Sequence, residues 1–390
     1  MQAERILRRI DLPLIAAVLG LSVYGLVMIY SSGQGLSSSG ENIFFKKQLI
    51  SIVVGLLLML LIAFSDYNWF SHYMPYIYGL NVFLLLLVDV LGRTTMGAQR
   101  WIPLGFFNLQ PSEFGKIFVI VSLGTFLASR KGAIDNWRDV GLAFAHVGVL
   151  IVLVVTQPDL GTALILVVIL LGMLLLAGMR LLYFVPILLV GLLLVAAVFT
   201  FPILHSYQMD RLVVFLNPDV DPSGAGYNLN QSKIAVGSGQ LTGKGLFSGT
   251  QTNLHFLPAR HTDFIFSVIG EELGFAGTSL LLGLYLVLLT RGLRIATTSR
   301  NLFGALLAGG IVTMWTFQVL VNVGMTIGIM PITGIPLPFI SYGGSAAWTN
   351  LVAAGLLMSV YSRRLKWGSE ATVRASGLGP GATVSKGRAG

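Results

Sequence analysis

The chain contains no cysteine, so disulfides and thiolate metal centres are excluded and redox compartment leaves no trace. It is also poor in charge: 11% of its residues are Asp, Glu, Lys or Arg, against roughly 25% in an ordinary soluble domain. The five histidines fall at no metal-ligand spacing. A glycine-rich stretch near residues 237–249 lacks Walker spacing, which excludes a phosphate-loop nucleotide site. No internal repeat is present, and no nucleic-acid partner is expected.

Apolar residues take the place of charge. They make up 55% of the 390 residues, and mean hydropathy is +0.81. No soluble interior could hide that much apolar surface, so lipid is the main solvent. Windows of about 20 apolar residues place spans near 12–30, 44–64, 74–91, 112–129, 140–156, 160–178, 181–203, 263–290, 302–328 and 342–361. The break at Gln157-Pro158-Asp159 is short enough to read as a kink, so the helix count is about ten. Only helices or a closed barrel satisfy the backbone in lipid. The expectation is an all-α integral membrane protein, a single polytopic unit over 1–367, with a disordered cytoplasmic tail at 368–390. The first span follows Arg5, Arg8 and Arg9 without a small-residue cleavage site and reads as a retained helix.

Lys and Arg set the orientation. With the N-terminus inside, the inner connections hold Arg130, Lys131, Arg138, Arg180, Arg291, Arg294 and Arg300, and the C-terminal end adds Arg363, Arg364 and Lys366. Both termini are then cytoplasmic, as expected of a multi-pass plasma-membrane protein. The longest non-apolar stretch, about 204–260, lies outside. Nine cations fall on or near that outer side: Lys46, Lys47, Arg93, Arg100, Lys116, Arg211, Lys233, Lys244 and Arg260. Scattered loop charges are one reading; an outward site for an anionic lipid-linked substrate is the other, since pyrophosphate suits Lys and Arg. Glu113 and Lys116, at i,i+3 on one helical face, are either a structural ion pair or part of a polar cavity. Glu271 and Glu272 fall about 12 Å along the helix from Asp263, and at least one should be satisfied inside the bundle. Asp159 reads as a cap or kink. Asp263, at a helix start, reads on position alone as an N-cap.

Four segments carry a resemblance. They are GAQRWIPLGFFNLQPSEFGKI at 97–117, QPDLGTA at 157–163, the run from Arg211 to Gly277 containing GTQTNLHFLPARHTDFIF, and GIPLPFISYGGSA at 334–346. Together they resemble the SEDS family (shape, elongation, division and sporulation), in wording closer to its elongation member than to its division or sporulation members. The resemblance implies the SEDS fold and a peptidoglycan glycosyltransferase that joins lipid II units into glycan strands at the outer membrane face. The GlcNAc 4-hydroxyl of one lipid II would attack C1 of the MurNAc at the end of the growing strand, releasing undecaprenyl pyrophosphate. It also implies a class B penicillin-binding protein (a transpeptidase) and other elongation-complex membrane proteins as partners.

Such chemistry needs a base, cations for the leaving group and a groove for the prenyl tail. By resemblance Asp263 is the essential carboxylate and Trp101 lines a substrate groove, although an interfacial aromatic is the competing reading. Arg100, Glu113, Lys116, Arg211, Lys233, Lys244, Arg260, His261, Lys46 and Lys47 complete the expected substrate-binding set. A magnesium or manganese ion could sit between Asp263 and pyrophosphate oxygens, although no motif demands one. The division or sporulation paralogue, a lipid II flippase and a non-catalytic scaffold are the alternatives. A flippase would need charges at both faces.

The topology is testable without background removal, because no native cysteine exists. Cysteine at Ser238 should react with an impermeant reagent in intact spheroplasts, and cysteine at Ser369 should not. The reverse pattern overturns the orientation.

Overall fold

A computed structural model describes residues 10–33, 42–95, 98–103, 107–130, 134, 136–200, 206–222, 224–254 and 256–364. The tail expected at 368–390 lies outside these residues. Fourteen helices occur among them. They are α1 (Leu12–Ser32), α2 (Ile43–Phe64), α3 (Tyr67–His72), α4 (Met74–Leu91), α5 (Pro111–Ser129), α6 (Trp137–Thr156), α7 (Leu160–Leu176), α8 (Leu181–Thr200), α9 (Ser206–Leu216), α10 (Ala225–Ser238), α11 (Thr250–Asn253), α12 (Ile265–Thr297), α13 (Leu302–Thr326) and α14 (Gly344–Arg363). Ten of them occupy the ten spans expected from hydropathy. Seven are long and apolar enough to cross a membrane on length and composition alone. Of the other three, α7 has 17 residues, α8 is apolar throughout, and α14 carries Ser345, Thr349, Asn350 and Ser359 on buried positions.

Local chemistry starts these helices where the sequence allows. Asp11 caps α1 by accepting the Leu14 N–H at 3.1 Å. The same carboxylate takes a bidentate pair of bonds from Arg291 on α12, at 3.0 and 2.6 Å, so one buried charge both caps a helix and joins two. Asn42 caps α2 and Asn301 caps α13 in the same way. Leucines such as Leu188, Leu192 and Leu193 on α8 face outward, as expected of a helix solvated by lipid.

At one end of the bundle the chain between α4 and α5 forms a small antiparallel sheet, β1 (Arg93–Thr95), β2 (Ala98–Pro103) and β3 (Asn108–Leu109). At the same end, the 204–260 stretch is largely helical. It holds α9, a 3-10 turn at Pro218–Val220, α10 and α11. A small second core of Val214, Leu229, Leu257, Phe264 and Ile332 fastens α9 and α10 to the start of α12.

The 33-residue α12 would be about 50 Å long if continuous, more than the roughly 30 Å hydrocarbon layer. It breaks at Gly274, with φ 63° and ψ −156°. Such a break orphans backbone groups, and buried orphans are costly. Here the 240–245 loop pairs four of the groups on either side of the break. Lys244 and Gly245 N–H donate to the carbonyls of Glu271 and Glu272 at 3.0 and 2.9 Å, while Phe275 and Ala276 N–H donate to those of Gln240 and Leu241 at 2.8 and 3.0 Å. The segment Ile265–Leu273 thereby becomes the pillar around which α9, α10 and the 240–245 loop assemble.

Gly274 occupies a backbone region essentially closed to other residues, and an added Cβ would collide with the Gly243 nitrogen. Gly274→Ala should therefore lower the melting temperature in detergent, at a cost of about 1–3 kcal/mol or more. Gly283→Ala, in the same helix with open space around it, should be neutral or slightly stabilising. Equal melting for both would show the kink to be dispensable.

Candidate functional site

Asp263 lies on the turn that leads into α12. The carbonyls of three successive residues are each held from elsewhere. The Tyr342 N–H donates to the His261 carbonyl at 2.8 Å, the Ser341 hydroxyl to that of Thr262 at 2.7 Å, and Asn322 Nδ2 to that of Asp263 at 3.0 Å. Asn322 also donates to the Ile335 carbonyl at 2.8 Å, so one buried amide ties the Asp263 turn to the 334–343 loop. The helix itself is capped at Phe264 without any side-chain bond. Asp263 is therefore not the N-cap, and its carboxylate is free of that duty.

The carboxylate faces Gly334. A Cβ placed there would stand 3.5 Å from Asp263 Oδ2 and 3.4 Å from Arg211 Nη1. Burial pushes the Asp263 carboxyl above the usual carboxylate range; Arg211, the Thr262 hydroxyl and Arg100 pull it back, and Asp159 pushes it up again. Arg211 comes from α9, which the small second core holds over this turn.

Arg100 on β2 donates from Nε to the Gln157 carbonyl at 3.1 Å and from Nη2 to that of Pro158, and its Nη1 lies 3.7 Å from Asp159. Asp159 caps α7 through the Thr162 N–H at 3.3 Å and accepts from Ser112 at 3.1 Å and Gln110 at 3.3 Å. The N-terminus of α7 also touches the 334 loop, where the Thr333 carbonyl would lie 2.8 Å from a Cβ on Gly161. Thus all four segments that carry the resemblance meet around one carboxylate. Trp101 follows Arg100 on β2 and is half-buried.

The remaining expected residues sort into three groups. Glu113 and Lys116 form a buried ion pair at 2.8 Å inside the bundle. Lys244 and Arg260 hold structure: Lys244 bonds Glu271 and Thr250, each at 2.8 Å, and buried Arg260 donates to the Ser32 carbonyl at 2.7 Å and to that of Thr252. Lys46, Lys47 and Lys233 are exposed, with Lys233 lying across Gly328. His261 packs against Phe44 at 4.3 Å and Tyr342 at 5.6 Å. Burial and neighbouring Arg260 push its imidazole down to about 4, so it is neutral at physiological pH.

Glu271 and Glu272 are both satisfied. The first accepts from Lys244, Thr250, Thr252 and the Gln251 N–H, and the second from Ser31 at 2.6 Å. Sequence reasoning missed Asn322 and Ser341. Asn322 had a signal, since it and Gln318 are two amides one turn apart in an otherwise apolar helix; Ser341 had none beyond its place in the fourth segment.

The fold and site define a polytopic all-α membrane protein with a polar reaction site at one membrane face. A family model described as cell cycle protein, covering FtsW, RodA and SpoVE, matches residues 12–366, and the chain belongs to that family. It is 39% identical over 361 residues to peptidoglycan glycosyltransferase MrdB of Escherichia coli, covering 91% of this chain and 94% of the relative. It is 37% identical to a probable peptidoglycan glycosyltransferase FtsW of Trichlorobacter lovleyi, covering 90% and 92%. A solved chain from a peptidoglycan synthase complex that coordinates polymerization and crosslinking superposes with a TM-score of 0.78 at 31% identity, covering 92% of this chain and 99% of that one.

Proposed function

We propose that this chain is a peptidoglycan glycosyltransferase that polymerises lipid II at the outer face of the bacterial plasma membrane, with Asp263 as its general base. The observation that carries the assignment to Asp263 is the carboxylate's position. It is half-buried, released from capping and faced by Arg211 across Gly334. Asp263 takes the proton from the attacking GlcNAc 4-hydroxyl as its oxygen bonds to MurNAc C1. The bond from C1 to the pyrophosphate oxygen breaks, and undecaprenyl pyrophosphate leaves with the electron pair. Arg211 is the cation placed to meet the developing charge, and Arg100 braces the neighbouring α7 terminus.

Among the described residues no group of three His, Asp or Glu side chains could hold a metal ion. A magnesium or manganese ion would therefore rest on Asp263 and substrate oxygens, lending charge neutralisation to the pyrophosphate. The division and elongation relatives stand at similar identity, so wording alone favours the elongation role. A class B penicillin-binding protein is the proposed crosslinking partner, in keeping with the synthase complex to which this chain is similar. The basic inner connections support cytoplasmic termini. The flippase reading is disfavoured by the gathering of Asp263, Arg211, Arg100 and Asp159 at one end of the bundle.

Asp263→Asn should leave the melting temperature unchanged, because no cap is lost, and should cut lipid II polymerisation by about 10² to 10⁴, the usual cost of losing a general base. Near wild-type polymerisation by that variant would remove Asp263 from the chemistry and send the search for the base to Glu113.

A raised carboxyl acts as a base only above its pKa, so the acid limb of kcat/KM should lie above the ordinary carboxylate value of about 4. Arg211 lowers that pKa. Arg211→Gln should consequently move the limb to higher pH, and Arg211→Lys should leave it nearly in place. An unmoved limb in the Gln variant would show that Arg211 does not face the base.

A further inference from the structure

The junction of α5, α13 and α14 holds more polar groups than it has protein partners for. Lys116 is 1% exposed and Glu113 3%. Lys116 has three N–H donors, and Glu113 is its one partner among the described residues. Three further side chains carry buried oxygens with no partner among the described residues: Gln318 Oε1, Asn322 Oδ1 and Thr349 Oγ1. Those residues are 1%, 0% and 1% exposed.

Helix register brings these groups to one level. On α5, the Ile120 methyl lies against Gly310 of α13. The two helices are antiparallel, so going back seven residues to Glu113 advances α13 to about residue 317, one position from Gln318. Asn322 follows Gln318 by one turn on the same face. The α5 and α14 helices run in parallel, with the Gln110 N–H donating to Ser345 Oγ at 3.0 Å. One turn further places Thr349 beside Glu113. Thr349 follows Ser345 by one turn on the same face, the face that meets the chain just before α5 through Gln110 and Asn108.

We propose that this three-helix junction is a built hydration site holding ordered water deep in the bundle. Its donors are the two remaining N–H groups of Lys116, and its acceptors are Gln318, Asn322 and Thr349. A buried water needs two to four polar partners, and this set supplies them. The charges explain the need: an ion pair in a low-dielectric interior is favourable only when its remaining hydrogen-bonding capacity is met, and among the described residues only Glu113 meets part of it for Lys116. The site also adjoins the reaction centre. Asn322 holds the Asp263 carbonyl through Nδ2 and turns Oδ1 toward the water. The inference concerns hydration and stands independently of the proposed chemistry.

The test uses hydroxyl-radical labelling of the intact protein in detergent, with radicals formed by X-ray pulses from water. Met314, Met28 and Met173 are all 0% exposed, so bulk water reaches none of them. All three belong to the apolar core, and Met314 is the one that lies one turn from Gln318 on the same face of α13. Met314 should be oxidised several-fold faster than the other two. Equal rates would overturn the proposal, and this arm needs no variant. Gln318→Met and Thr349→Val then remove one acceptor each at nearly constant volume. With water present, each should lower the melting temperature and slow Met314 oxidation. A dry orphan predicts the opposite sign, since replacing an unsatisfied buried oxygen with an apolar group is neutral or stabilising, so unchanged or raised melting would sink the idea.

Discussion

The backbone carbonyls of His261, Thr262 and Asp263 are fixed by donors from the 341–342 loop and from Asn322, and the candidate site depends on this clasp. A catalytic carboxylate must be held within a fraction of an ångström of its working position, and a surface turn would not hold it. Three consecutive bonds, two of them to another loop and one to Asn322 near the C-terminal end of α13, turn a connection into a fixed part of the bundle. The clasp also frees Asp263 from capping, because the first turn of α12 begins at Phe264.

Lipid and the reaction make opposite demands on this chain, and the end of the bundle that carries the candidate site reconciles them. Lipid requires that every backbone group be paired, while a reaction site requires irregular backbone. The kink at Gly274 meets both conditions. It divides α12 and sets off the Ile265–Leu273 segment, and the 240–245 loop pairs two carbonyls before the kink and two N–H groups after it. The two glutamates on that pillar are spent on structure, Glu271 by five donor contacts from the 244–252 segment and Glu272 by Ser31.

At Asp263 itself two effects oppose one another. Burial favours the protonated acid, which would be a poor base at rest. Arg211, Thr262 and Arg100 favour the carboxylate. The net shift is upward, with burial its largest cause. Arg211 sits on α9, outside the membrane helices, so the cation and the carboxylate it tunes belong to different layers of the structure.

Composition and hydropathy determined the class and the ten spans, because lipid solvation imposes a length and an apolarity that can be read residue by residue. The motif at HTDFIF marked Asp263, and the segments at 97–117, 157–163 and 334–346 marked its surroundings. Sequence could not decide whether Asp263 was a cap or a free carboxylate, since an Asp before a helix is written the same way in both cases; the helix boundary at Phe264 decided it. Nor could it sort nine outward cations of one charge. Lys244 and Arg260 proved to brace the outer segment, Lys116 to lie inside the bundle and Arg211 to face the carboxylate. Those differences depend on contacts between residues tens to hundreds of positions apart, and only the packing of α9, α10 and the 334–343 loop around the kinked α12 brings those contacts into being.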